Sequence, residues 1–148
     1  RFLMRMSIGY PAASVERQLL MERRLEDPVD KLEPVLEVSE FEALQVRAAD
    51  VTIEDSLVDY LMEVVRATRR DSRVRIGVST RGGLAIARAA RAWALLNGRD
   101  FCIPDDLHDL FVPTIAHRIS LSGAAGETDK KEAEMIVEEI VGEIDSPV

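Results

Sequence analysis

The sequence predicts a mainly α-helical fold, and three observations predict it. Residues 54–69, 80–96 and 129–144 repeat apolar side chains at the 3.6-residue spacing of a helix. Helix punctuation brackets these runs, with Ser79 and Pro104 at starts and Gly98 past an end. Only residues 1–10 alternate like a strand, and one strand cannot satisfy its own backbone ladder.

The opening segment sets Phe2, Met4, Met6 and Ile8 on one side and Leu3, Arg5 and Ser7 on the other, and closes at Tyr10-Pro11. Its partner strands lie upstream of Arg1, or the segment is irregular. Because the chain begins inside this pattern and without a methionine, we expect a piece of a longer protein. Ser14 is placed to cap a short helix reaching Glu26, with Val15, Leu19, Leu20 and Met21 on its apolar stripe. Two prolines and no clear period make 27–38 a connector. Ser39 and Glu42 have the spacing of a capping box for a helix to about Ala49. Val51-Thr52-Ile53 then reads as a short extended link.

Between Glu54 and Arg69, Leu57, Leu61, Val64, Val65 and Thr68 fall on one face. Asp55 and Asp59 near the start and Arg66, Arg69 and Arg70 at the end match the helix dipole, which favours acids at its N-terminus and cations at its C-terminus. In 80–96 the expected packing face is Ile86, Ala87, Ala90, Trp93 and Ala94, with Arg81, Arg88 and Arg91 opposite. Pro104, followed by Asp105 and Asp106, opens a helix that buries Leu107, Leu110, Phe111 and Ile115. Pro113 is expected to kink or divide it, since proline lacks the N–H of the next helical bond. His108 and His117 are nine residues apart, share no metal-like cluster, and read as structural or surface groups. A loop with two glycines at 122–128 precedes an acidic amphipathic helix, with Ala133, Ile136, Val137, Ile140 and Ile144 in register.

Charge is unevenly placed. The formal net charge is -8, yet residues 66–91 hold eight arginines (66, 69, 70, 73, 75, 81, 88 and 91) against the single acid Asp71. Ser79 is the expected N-cap of the helix in that stretch, so Arg81 lies in its first turn, beside unpaired N–H groups and the positive dipole end. A cation there is unfavourable unless an anion is held jointly by the guanidinium and the helix mouth. The alternative is that Arg81 points to solvent or pairs with a carboxylate. A guanidinium fork suits phosphate or carboxylate oxygens. Nucleic acid is disfavoured as the anion because the rest of the surface is acidic.

Several chemistries are missing. No glycine precedes Lys-Ser or Lys-Thr, so there is no phosphate-binding P-loop, and there is no supported Ser/His/Asp set. One cysteine and two scattered histidines make no zinc site, and the single Cys102 suits a reducing compartment. No run approaches the ~20 apolar residues of a membrane span, so no membrane insertion is expected. The chain alone is expected to turn over no ATP.

Tyr60–Arg70 (YLMEVVRATRR), Gly77-Val78-Ser79-Thr80-Arg81-Gly82, Ala89–Leu96 with Gly98-Arg99-Asp100, Pro104-Asp105-Asp106 and Ala116-His117-Arg118-Ile119 together resemble the helical lid of MoxR-type AAA+ ATPases. Arg1-Phe2 with Gly9-Tyr10-Pro11 resembles the last strand of that family's ATPase core. The resemblance implies an AAA+ lid-type four-helix bundle, with a strand remnant and helix from the core before it and an acidic helix after it. It divides the chain into the core's last strand (1–13), a short helix and connector (14–38), the lid (39–118) and a C-terminal loop and helix (119–148). It implies a cytoplasmic parent that binds ATP with Mg2+, hydrolyses it and assembles into a homo-oligomeric ring, commonly a hexamer. Such chaperone-like machines remodel or mature client complexes, often with a partner carrying a von Willebrand factor A domain.

By match, Arg81 is the sensor-2 arginine that contacts the γ-phosphate, Ser79 stands beside it, and Arg1 is a candidate arginine finger for the next subunit's ATP. Two departures from the family signature, Thr80 for Pro and Gly82 for Ala, are expected to loosen the first turn. Ile103, where relatives carry Ser or Thr, removes a cap. A reading from a different class is a helical interaction module whose arginine row binds an acidic protein surface.

Overall fold

The computed structural model describes residues 2–22, 28–123 and 128–147. Among these residues six α-helices follow one another: α1 (Ala13–Glu22), α2 (Val38–Asp50), α3 (Asp55–Arg70), α4 (Thr80–Leu96), α5 (Pro104–Ile115) and α6 (Thr128–Gly142). Two short strands, β1 (Val74–Ile76) and β2 (Ser120–Leu121), pair antiparallel. The fold is mainly α, as the periodicity predicts.

The core lies among α3, α4, α5 and α6. Val64, Val65, Ile86, Leu107, Phe111, Ile115 and Val137 are fully enclosed. At about 1.5–3 kcal/mol for each large side chain taken from water, this cluster is the main stabilising term. Tyr60 meets Phe111 edge to face, with ring centroids 5.7 Å apart. Ala133, Ile136, Val137, Ile140 and Val141 of α6 enter the same cluster. α2 packs against α4 but buries no residue of its own.

Small residues let α4 approach α3. A Cβ on Gly83 would meet Leu61 Cδ2 at 3.6 Å and Val65 Cγ2 at 3.8 Å, which is ordinary contact. Gly83→Ala is therefore expected to stabilise the fold by about 0.5–1 kcal/mol, because it removes unfolded-state freedom without a clash. Thermal unfolding of the variant beside wild type reads this directly, and a lower midpoint would contradict it.

Several expectations need correction. Residues 2–10 form no strand. Arg5 N–H instead donates to Pro113 O at 2.8 Å, and Phe2, Met6, Ile8 and Tyr10 stay exposed. The alternation needs a neighbouring strand that the described residues do not supply. The helix expected to reach Glu26 runs to Glu22, and residues 23–27 lie outside the described ones. α2 starts two residues earlier than its Ser39 cap implies: Glu37 is the N-cap, and Glu40 Oε2 accepts the Glu37 N–H at 2.8 Å.

Pro113 does not divide α5, which continues to Ile115 before a 3-10 turn at Ala116–Arg118. The missing N–H would serve the carbonyl of exposed Asp109, which water can satisfy. Trp93 is 40% exposed and does not lie in the core, whereas Gly98 closes α4 in the left-handed conformation expected of it (φ +75°).

The absent cap at Ile103 is supplied from the other end of the turn. Asp106, 2% exposed, accepts the Ile103 N–H at 2.8 Å and receives both guanidinium nitrogens of Arg99 at 2.6 Å. Burial raises the Asp106 carboxyl pKa, but the Arg99 fork and the Ile103 N–H outweigh it and hold the group below its ordinary value.

Candidate functional site

The mouth of α4 is held by its attachment to α3. Gly77 crosses the last turn of α3 so closely that a Cβ would stand 2.7 Å from Arg69 Cα and from Thr68 O. The next residue, Val78, is clasped on both sides. Its N–H donates to Thr68 Oγ1 at 3.1 Å, and its carbonyl accepts Arg69 Nε at 2.7 Å. The Thr68 hydroxyl in turn donates to Val65 O at 2.7 Å, so this buried hydroxyl uses both its roles. The clasp fixes where Ser79 begins the helix.

Ser79 is the N-cap, as expected. Its Oγ accepts the Gly82 N–H at 3.3 Å, and its carbonyl accepts Gly82 N–H at 2.8 Å and Gly83 N–H at 3.2 Å. The first turn thus closes despite Thr80 and Gly82. A Cβ on Gly82 would stand 2.5 Å from Val78 Cγ1, so the glycine matches the clasped valine rather than merely loosening the helix.

Arg81 is exposed and has no hydrogen bond or ion pair among the described residues, and the same holds for Arg88. Of the two open outcomes for Arg81, pairing with a carboxylate is not observed. Both arginines line an open cleft of about 570 Å³ together with Leu3, Leu84, Ala85 and Arg118. Among the described residues no carboxylate belongs to that lining. Spacings of three, four and seven residues put Arg81, Leu84, Ala85 and Arg88 on one stripe of α4. The cleft faces the segment of chain that contains Leu3.

Arg91 does not join this row. It lies ten residues beyond Arg81, about 80° round the helix, and its Nε donates to Val51 O at 3.0 Å. Much of the remaining arginine-rich stretch is structural. Arg73 pairs with Asp71 at 2.8 Å and with Glu139 at 2.5 Å, and Arg75 donates to Ser120 Oγ at 3.1 Å. Arg1, the other candidate residue, lies outside the described residues.

Arg118 is the member of the cleft that sequence reasoning missed. Its Nε donates to Thr114 O at 2.7 Å, and its Nη2 reaches Phe2 O and Leu3 O. The bond to Thr114 serves a carbonyl at the end of α5, where the dipole favours cations, and the other two reach the N-terminal segment. His117 Nε2 faces Phe2 O at 3.3 Å; burial lowers the imidazole pKa, and the nearby Arg118 and Arg5 lower it further. The sequence carried one usable signal for Arg118: a cation just past the C-terminus of a helix.

Arg81 thus presents an exposed guanidinium at a capped helix mouth, on a cleft that no carboxylate lines among the described residues. Residues 66–140, 75 of the 148, match the family model of the AAA lid domain, and the chain belongs to that family. It is 38% identical to the uncharacterized protein YeaC of Bacillus subtilis over its whole length, which is 46% of that protein. It is 34% identical to Chaperone MoxR1 of Mycobacterium tuberculosis, over 82% of this chain and 34% of the relative. Protein MoxR of Paracoccus denitrificans is 32% identical over 84% of this chain and 42% of its own length. The chain thus spans less than half the length of these relatives. A crystal structure of a candidate ATPase from Cytophaga hutchinsonii superposes over the whole chain and 47% of its own, with a TM-score of 0.80 at 23% identity. These likenesses fit the C-terminal part of a MoxR-type AAA+ protein.

Proposed function

We propose that this chain is the nucleotide-sensing lid of a MoxR-type AAA+ ATPase, with Arg81 as the group that meets the γ-phosphate of ATP. The observation that carries this reading is the state of Arg81: exposed, beside the Ser79-capped mouth of α4, and, among the described residues, unpaired on a cleft that no carboxylate lines. ATP bound by the rest of the protein brings a γ-phosphate whose charge grows during transfer. A cation fixed in advance at that position stabilises the change. Arg81 and the first-turn N–H groups can accept such an anion. No carboxylate among the described residues lines this cleft, and we assign the ligands of the Mg2+ that accompanies ATP to the ATPase core.

The exposed apolar side chains of the N-terminal part support a missing neighbour. Ile8, Tyr10, Leu20, Val35 and Val38 are each at least 75% exposed. Apolar surface of this extent marks a contact with another body, which we assign to the ATPase core. In the whole protein, ATP hydrolysis would then drive ring-based, chaperone-like work on client complexes, with a von Willebrand factor A domain protein among the partners. No helix among the described residues is long and apolar enough to cross a membrane, and a cytoplasmic site of action is part of the proposal.

In the full-length protein, Arg81→Ala is expected to lower ATP turnover at least ~10-fold. Arg70→Ala, which removes an exposed arginine that does not line the cleft, is expected to leave turnover at the wild-type rate. Unchanged turnover and unchanged nucleotide-dependent assembly in Arg81→Ala would remove Arg81 from the mechanism.

The interaction-module reading keeps one supporting observation, the unpaired Arg88 beside Arg81. Its test is Arg88→Glu alone, because Arg91 holds Val51 O and its reversal would disturb the fold. Salt-sensitive self-association that Arg88→Glu abolishes, and that nucleotide does not affect, would favour this reading.

A further inference from the structure

The guanidinium of Arg118 differs from that of Arg81 in the same cleft. Arg81 is free, whereas Arg118 is committed to three carbonyls on two separate segments: Thr114 O at the end of α5, and Phe2 O and Leu3 O in the N-terminal segment. Its stem also lies beside the first turn of α4. A Cβ on Gly82, the residue after Arg81, would lie 3.5 Å from Arg118 Cδ. One side chain therefore ties the C-terminus of α5 to residues 2–3 beside the first turn of α4, which itself packs on α5. A second tie lies alongside, from Arg5 N–H to Pro113 O at 2.8 Å.

We propose that Arg118 is a positioning residue that fixes the mouth of α4 relative to the N-terminal segment, so that an anion meeting Arg81 shifts that segment with the lid. The proposal rests on the reading of Arg81 as the nucleotide-sensing group. The physical reason is geometric. A guanidinium is planar and donates in fixed directions, so three carbonyls held by one such fork constrain the angle between the segments that carry them. A free guanidinium recruits an anion, but one bonded to three carbonyls holds backbone in place. The N-terminal segment is also where the apolar surface assigned to the core begins, so a rigid tie here carries lid orientation across that boundary.

The test uses the full-length protein. Arg118→Met keeps the apolar stem against Gly82 and removes all three N–H bonds. We expect kcat for ATP to fall ~10-fold while KM holds, because misplacement by a fraction of an ångström affects the reacting geometry more than binding. Hydrogen exchange at the Arg5 amide is expected to speed up, with α4 and α5 exchanging at wild-type rates. Arg118→Lys is expected to recover part of kcat, since an ammonium can still reach the Phe2 and Leu3 carbonyls. A purely structural role would instead raise exchange throughout α4 and α5 without separating kcat from KM, and that result overturns the proposal. Wild-type kcat in Arg118→Met, with Arg81→Ala inactive, overturns this proposal alone. Unchanged turnover in Arg81→Ala overturns the sensor reading, and the proposal with it.

Discussion

Replacing Gly77 with alanine is expected to destabilise the lid by about 3 kcal/mol, the upper end of the cost of overpacking. The backbone of Gly77 is not left-handed, so glycine is not required there for its conformational freedom. It is required for space. The added methyl would press on Arg69 Cα and Thr68 O at 2.7 Å, and two of the obstructing atoms are backbone that no rotamer change can move. Relief demands that the linker lift away from α3. That would break the bonds from Val78 N–H to Thr68 Oγ1 and from Arg69 Nε to Val78 O, and leave buried polar groups unpaired. For a chain of this size the thermal midpoint should fall by roughly 10 °C. In the full-length protein the same change should weaken nucleotide response, since the clasp places Ser79 and Arg81. A midpoint within ~1 °C of wild type would show that the close crossing is not a constraint.

Asp106→Ala is expected to cost a comparable amount, about 3 kcal/mol, because it leaves Arg99 without its bidentate partner and Ile103 N–H without an acceptor. This site also predicts a pH dependence. The folded-state pKa of Asp106 lies below its unfolded value, so the folded chain releases that proton more readily. Its contribution is fully present above the ordinary carboxylate pKa, and it is lost as the pH falls through the lower folded value. Wild-type stability should therefore decline in acid below about pH 4, and Asp106→Ala should decline less steeply. Asp71, lowered chiefly by its hydrogen bond to Arg73, titrates in the same window, so the difference between the two proteins is the quantity to measure. Parallel curves from urea unfolding between pH 2 and pH 7 would contradict the assignment.

What the sequence made legible was what short-range chemistry controls. Ser79, Pro104 and Gly98 punctuate α4 and α5 where expected, because a cap or a left-handed closing residue acts within one turn. The buried stripe of α3 was readable for the same reason: Leu57, Leu61, Val64, Val65 and Thr68 satisfy one period. Pairings between distant segments were not readable. β1 and β2 are three and two residues long and lie more than forty residues apart, too short to alternate and too far to signal each other. The alternating residues 2–10 erred in the opposite direction. Their pattern is that of a strand, but a ladder needs a second strand, and helix α5 offers only its terminal carbonyls.

The site shows the same division. Arg81 stood out because a cation at a helix N-terminus conflicts with the dipole, and that conflict is visible locally. Arg91 was wrongly grouped with it because ten residues do not return to the same face. Arg118 was missed because its acceptors come from residues 2 and 3 at the other end of the chain. Asp106 could have been found. It stands at the third position of a helix whose N-cap lacks a polar side chain, where an acid can reach back to the free N–H.

The central claim is that Arg81 recognises the terminal phosphate of ATP, and the most direct measurement is relative affinity for ATP and ADP. Calorimetric titration of the full-length protein with each nucleotide in magnesium, for wild type and Arg81→Ala, isolates the γ-phosphate. The account predicts that Arg81→Ala weakens ATP binding by about 10-fold or more while ADP binding holds, since a hydrogen bond to a charged group contributes about 1.5–3 kcal/mol. An ATP-to-ADP affinity ratio equal to that of wild type would contradict it.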